Sequence, residues 1–243
     1  MTICAGWEAL VAFNPTLTGS LPRFSSTVSA LGLLLTDAAW WGSVAHTMAA
    51  TAIGLAACVA LGVSLGLLLS LRTQFFTAAK GPVDFARTVP PLAVIPLGML
   101  VLGPTMIMEV VLIVVSAVWP VLLQTVYGVH NVDPALVETA RVYEVPRWRR
   151  ALFVVAPAAS PYVVTGIRVA AAISLLVAVG TELIAGVPGL GHEIGLRGRG
   201  GAVASLYACI LVAGTLGVLV NAGLKAGEHR LLDWHLRPRE LVR

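Results

Sequence analysis

The chain has 243 residues, of which 58% are apolar and only 12% charged, with a mean hydropathy of +0.89. That balance excludes an ordinary water-soluble domain, and the length holds one membrane domain of about five or six helices at roughly 20 residues a crossing, with no room for a second, soluble domain. The net charge of +4 does not indicate nucleic acid, because the basic residues stand between or after long apolar runs, as membrane topology requires.

In chain order, the first thirteen residues are apolar but lack a basic start and a small-residue cleavage pattern. A short first helix over Trp7 to Phe13 is expected, rather than a removable signal. Residues 47 to 71 carry no charge and would reach about 37 Å as a helix, more than the bilayer core. Within them Gly62 and Gly66 make a small-xxx-small pair, with Gly54 two turns before Gly62, which permits close helix packing. Arg72, Lys80 and Arg87 mark the following loop. Residues 90 to 127 are apolar but interrupted at Gly103 and Pro104, which predicts a hairpin of a Pro-rich segment and a helix from Thr105 to Tyr127. Pro90, Pro91 and Pro96 can break the first of these so that backbone groups face a cavity, or simply kink it.

Residues 130 to 160 are too long for a plain connector. Asp133 and Pro134 form an N-cap and N1 pair, Glu138 complements the helix dipole, and Leu136, Ala140 and Tyr143 share a face. A short amphipathic helix from 134 to about 143 follows. Pro146 opens a second helical stretch whose Arg147, Arg149 and Arg150 suit lipid headgroups or an acidic partner. Two further spans are expected at about 160 to 184, opened by Ser160 and Pro161, and at 203 to 224. Leu224 to Leu236, with Trp234, reads as a membrane-surface helix.

Alternation of the spans puts the 72–87 loop, the 130–160 loop and the tail with Lys225, Arg230, Arg237, Arg239 and Arg243 on one side. The other side holds only Arg23, Arg197 and Arg199. The richer side, and with it the C-terminus, is cytoplasmic.

Ionisable groups in apolar spans are costly and therefore candidates for function. Glu182, beside Thr181 and before the Gly/Pro-rich stretch 186–191, is a candidate for the translocation pathway together with Pro96; an interfacial structural carboxylate is the alternative. Glu109 and His46 are expected to reach headgroups, and Arg168 to snorkel to the inner interface. Cys4, Cys58 and Cys209 are isolated, His192-Glu193 lacks a second His, and GLGHEIG lacks dinucleotide-fingerprint spacing, so no catalytic residue and no metal ligand set are expected.

One pattern is specific. Glu138-Thr139-Ala140, then Glu144, then Val154-Val155-Ala156-Pro157 keep the spacing of the EAA…G…I-x-L-P signature, with Thr139 for its first Ala and Glu144 for its Gly. Around it, VDPALVETARVYEVPRWRRALFVVAPAASPYVVTGIRVA, RTVPPLAVIPLGMLVLG and TELIAGVPGLGHEIG resemble permeases of ABC importers, in the nitrate, sulfonate and taurine branch. The resemblance implies the all-α type I importer fold in a bacterial inner membrane, a homodimer of permeases, an extracytoplasmic solute-binding protein, and a cytoplasmic ATP-binding subunit that receives the 134–143 helix, with Glu138, Ala140 and Arg141 at that contact. It also implies a small anionic cargo: nitrate, a sulfonate or taurine, or bicarbonate. No G-x-x-x-x-G-K-[ST] loop occurs, so ATP and Mg2+ would be bound by that partner and no cofactor by this chain.

Overall fold

The computed structural model describes residues 2–14 and 19–231. These are helical throughout, with no strand among them, in the order α1 (Thr2–Phe13), α2 (Phe24–Leu35), α3 (Ala38–Ser70), α4 (Thr73–Ala86), a 3-10 turn (Pro91–Val94), α5 (Ile95–Leu102), α6 (Met106–His130), α7 (Pro134–Val142), α8 (Arg147–Arg150), a π turn (Ala151–Val155), α9 (Ala156–Ala185), α10 (Leu190–Arg199) and α11 (Val203–Leu231). Four stretches are long and apolar enough to cross a membrane: Ala38–Ser70, Met106–His130, Arg147–Ala185 and Val203–Glu228. A fifth exists if Gln74–Ala86 and Pro91–Leu102 are taken as one broken span.

Several boundaries differ from expectation. The second span begins at Ala38, well before residue 47, because His46, which marks the polar end of the apolar run, lies inside the helix. The 72–87 loop is helical as α4, with Pro82 accommodated inside it. Ser160 and Pro161 do not start a helix, since residues 147 to 185 run continuously. Pro161 has no N–H for the Pro157 carbonyl four residues back, and the Ser160 hydroxyl donates to that carbonyl instead, at 2.8 Å. The π turn, closed by the Ala156 N–H on the Ala151 carbonyl, directly precedes Pro157, whose ring would otherwise press on the preceding turn. The stretch after Gly186 contains α10, which the glycines obscured. Residues 232–236 of the expected surface helix, with Trp234 and the tail arginines Arg237, Arg239 and Arg243, lie outside the described residues, as do the Cys4 and Arg230 side chains.

Two compact units are formed. The first comprises Met1–Ala52, Leu92–Leu112 and Leu175–Leu219. Its core gathers Ala30, Leu34, Trp40, Val44, Leu190, Ala208 and Cys209. The short α1 is anchored by the Trp7 indole N–H, which donates to the Pro22 carbonyl at 2.9 Å, and by Glu8, which accepts from the Ser25 N–H and hydroxyl at 3.1 and 3.0 Å.

The second unit comprises Ile53–Pro91, Ile113–Ser174 and Val220–Arg243. Here α3 lies against α6 along the predicted glycine stripe: a Cβ at Gly54 would meet Ile113, at Gly62 Val121, and at Gly66 Thr125. The absent side chains let the two backbones approach closely, which is what association in lipid rewards. Arg168 does not remain a lone interfacial charge but pairs with Glu228 of α11. Elsewhere the helices turn Leu61, Leu65, Leu68, Leu100, Val115 and Val218 outward. Such apolar exposure would be an aggregation surface in water and is the solvated face in a bilayer.

Candidate functional site

The signature residues are built on a short helix fixed at both ends. Asp133 caps α7 by accepting the Ala135 N–H at 2.8 Å, and Pro134 occupies the first helical position, where no N–H is needed. At the other end the Glu144 N–H donates to the Arg141 carbonyl and the Val145 N–H to the Ala140 carbonyl, both at 3.0 Å. That pair of bonds is the Schellman closure, and it requires a left-handed residue just after the helix. The residue is Glu144, with φ of 53°, so the position whose signature residue is Gly does turn left-handed, and here a side chain tolerates it.

Ala140 is buried, whereas Glu138, Thr139, Arg141 and Glu144 are exposed. Thr139 turns its hydroxyl back to the Ala135 carbonyl at 2.7 Å. Around these charges α7 exposes Leu136, Val142 and Tyr143, and Trp148 stands free nearby with Arg149 over its ring at 5.1 Å. The capped helix thus presents apolar and charged groups outward on the same few turns. It packs on the π turn Ala151–Val155. Pro157 follows that turn in α9, so the two halves of the signature meet through the π turn.

The pathway candidates part company. Glu182 and Thr181 are fully buried in the first unit, while Pro96 is exposed in the opening turn of α5 and does not join them. Glu109 is also fully buried, which corrects the expectation that it reaches headgroups. It lies with His46 and Glu182, where one ligand atom from each of the three falls within 4.8 Å of the others. Glu182 is held by Thr47, whose hydroxyl donates to Oε1 at 2.7 Å, and by the Gly191 N–H, which donates to Oε2 at 2.8 Å. The Thr47 hydroxyl in turn accepts the Leu190 N–H at 2.9 Å. Gly191 must be glycine: a Cβ there would overlap the Glu182 side chain and the Val179 carbonyl. Sequence reasoning flagged the three ionisable residues one at a time; Thr47 and Gly191 carried no signal of their own.

The described residues thus form an all-helical membrane fold that carries one exposed helix, capped at both ends. The family described as "Binding-protein-dependent transport system inner membrane component" matches residues 58–232, and the chain belongs to that family, the permease subunits of ABC importers. It is 29% identical to the nitrate import permease protein NrtB of Leptolyngbya laminosa over 77% of this chain and 67% of that protein. It is also 29% identical to the taurine transport system permease protein TauC of Escherichia coli (strain K12), over 82% of this chain and 72% of that one. Among solved structures, an inward-facing MetNI methionine ABC transporter aligns with a TM-score of 0.65 at 16% identity, covering 80% of this chain and 95% of that chain, which shows the fold.

Proposed function

We propose that this chain forms the translocation pathway of an importer for a small anion of the nitrate, sulfonate/taurine or bicarbonate type, and that it is driven by ATP hydrolysis on a separate cassette subunit. The observation that carries this reading is α7: rigid, capped at both ends, and exposed at Glu138, Arg141, Leu136 and Tyr143. A capped helix transmits displacement without being compressed, so closure of the cassette subunits can rock the spans to which α7 is tied. The chain itself is no enzyme; ATP and Mg2+ belong to the cassette partner, and an extracytoplasmic binding protein delivers the solute. Two copies assemble as a homodimer in the inner membrane of a bacterium, with α7 and the C-terminus on the cytoplasmic side. The anionic cargo is supported by the relatives whose names carry nitrate and taurine.

The test is co-expression with the cassette subunit and the binding protein. Glu138→Arg combined with Arg141→Glu is expected to abolish co-purification of the cassette subunit and binding-protein-stimulated ATP hydrolysis. Uptake into liposomes by the purified chain alone, without ATP, would sink the reading. Affinity measurements on the partner binding protein decide among the anions.

A further inference from the structure

We propose that His46, Glu109 and Glu182 form a buried binding site for one divalent transition-metal ion, with Zn2+ the best match, linking α3, α6 and α9 within the first unit. Three helices bring three side chains to one point although 63 and 73 residues of chain separate them. His46 Nδ1 lies 3.8 Å from Glu182 Oε1 and 4.0 Å from Glu109 Oε2. These separations are beyond hydrogen-bond reach. Ligands held about 2.0–2.2 Å from a tetrahedral ion stand roughly 3.3–3.6 Å apart, so small side-chain rotations would close the set on an ion.

The polar atoms at this point are left without partners by the protein. Both Glu109 oxygens and His46 Nδ1 are buried and make no hydrogen bond, and Glu109 is fully enclosed. Buried polar atoms are nearly always satisfied, and three orphaned atoms converging on one spot call for a group between them. Charge points the same way. Two carboxylates are buried together, and among the described residues only His46 comes within ion-pairing distance of either. Two carboxylates side by side in an enclosed site repel each other when charged, and a cation between them relieves that repulsion. A proton shared by the facing Glu109 and Glu182 carboxyls would relieve one charge, yet it would leave His46 Nδ1 unmatched.

The donor set selects the class of ion. One imidazole nitrogen with two carboxylate oxygens suits Zn2+ or a neighbouring first-row divalent ion; Ca2+ and Mg2+ favour oxygen alone, and Cu(I) wants the thiolates this point lacks. The outer shell is already built. Thr47 and the Gly191 N–H each fix one oxygen of Glu182, orienting the carboxylate as metal ligands usually are. His46, with 26% of its side chain accessible, is the way in.

The experiment uses the full-length chain in detergent, freed of any affinity tag, stripped with a chelator, loaded with Zn2+ or Co2+ and desalted. One Zn2+ per chain should remain, the thermal unfolding midpoint should rise on loading, and Co2+ should give the strong visible d–d absorption of a low-coordinate site. Glu109→Gln and His46→Gln should each weaken retention by about tenfold or more. His46→Gln alters a partly accessible side chain and spares the buried carboxylates, so it reads the site even if Glu109→Gln folds poorly. If the wild-type chain keeps neither ion and its unfolding midpoint ignores both, the proposal is overturned and the carboxyl pair shares a proton. Retention undiminished in both variants overturns it equally, since the ion then sits elsewhere.

Discussion

Glu144 is the residue on which local strain is concentrated. An L side chain in the left-handed region costs about 1–2 kcal/mol, whereas glycine there costs only its extra chain entropy of about 0.5–1 kcal/mol. Glu144→Gly should therefore stabilise the turn by about 0.5–1 kcal/mol, read as a higher unfolding midpoint of the purified protein. Glu144→Val, which is β-branched, should lower it. Two Schellman hydrogen bonds offset the strain, and they explain how the chain keeps the turn without its usual residue. At the other end of α7, Asp133→Ala removes that helix's N-terminal side-chain cap and should cost about 1 kcal/mol. Faster amide hydrogen exchange over Ala135 to Glu138, with the membrane helices unchanged, is the expected signature.

The elements are held by close approach as much as by apolar area. A Cβ at Gly62 would lie 2.7 Å from the Val121 Cβ and one at Gly66 the same distance from the Thr125 Cβ, so α3 and α6 have no slack at these points. Gly62→Leu should prevent that packing and give an aggregated protein by size-exclusion chromatography; Gly62→Ala should fold with a lowered midpoint. In α9, the Ser160 hydroxyl stands in for the N–H that Pro161 lacks, and Ser160→Ala should cost about 1 kcal/mol by leaving the Pro157 carbonyl unpaired. The sequence pattern misled here for a physical reason. Ser-Pro is the usual opening of a helix in water, but within a span a hydroxyl can repair the ladder and the helix continues through it.

Across the whole molecule, the long apolar helices establish a membrane protein, and the proposed drive through α7 is tested at this scale. Because the Glu138, Thr139 and Arg141 side chains are exposed on α7, replacing them should leave the unfolding midpoint of the permease alone nearly unchanged. Loss of stimulated ATP hydrolysis at an unchanged midpoint would locate the defect in docking. Much of this was legible beforehand: the spans at 47–71, 105–127 and 203–224, the glycine stripe and the capped helix α7 all follow from composition, period and local chemistry. Other features were not. Helix α4 hid behind its charges, α10 hid behind its glycines, and Glu109 was read as reaching headgroups.

By itself, then, the sequence determined what is local: which runs are apolar enough to span, and where the caps of α7 fall. Those properties depend on residues a few places apart, and hydrogen bonding along the chain enforces them. Only the tertiary structure decided that His46, Glu109 and Glu182 meet. Helical periodicity says which residues share a face of one helix, but the face presented to a helix more than sixty residues away is chosen by the packing of all the spans at once.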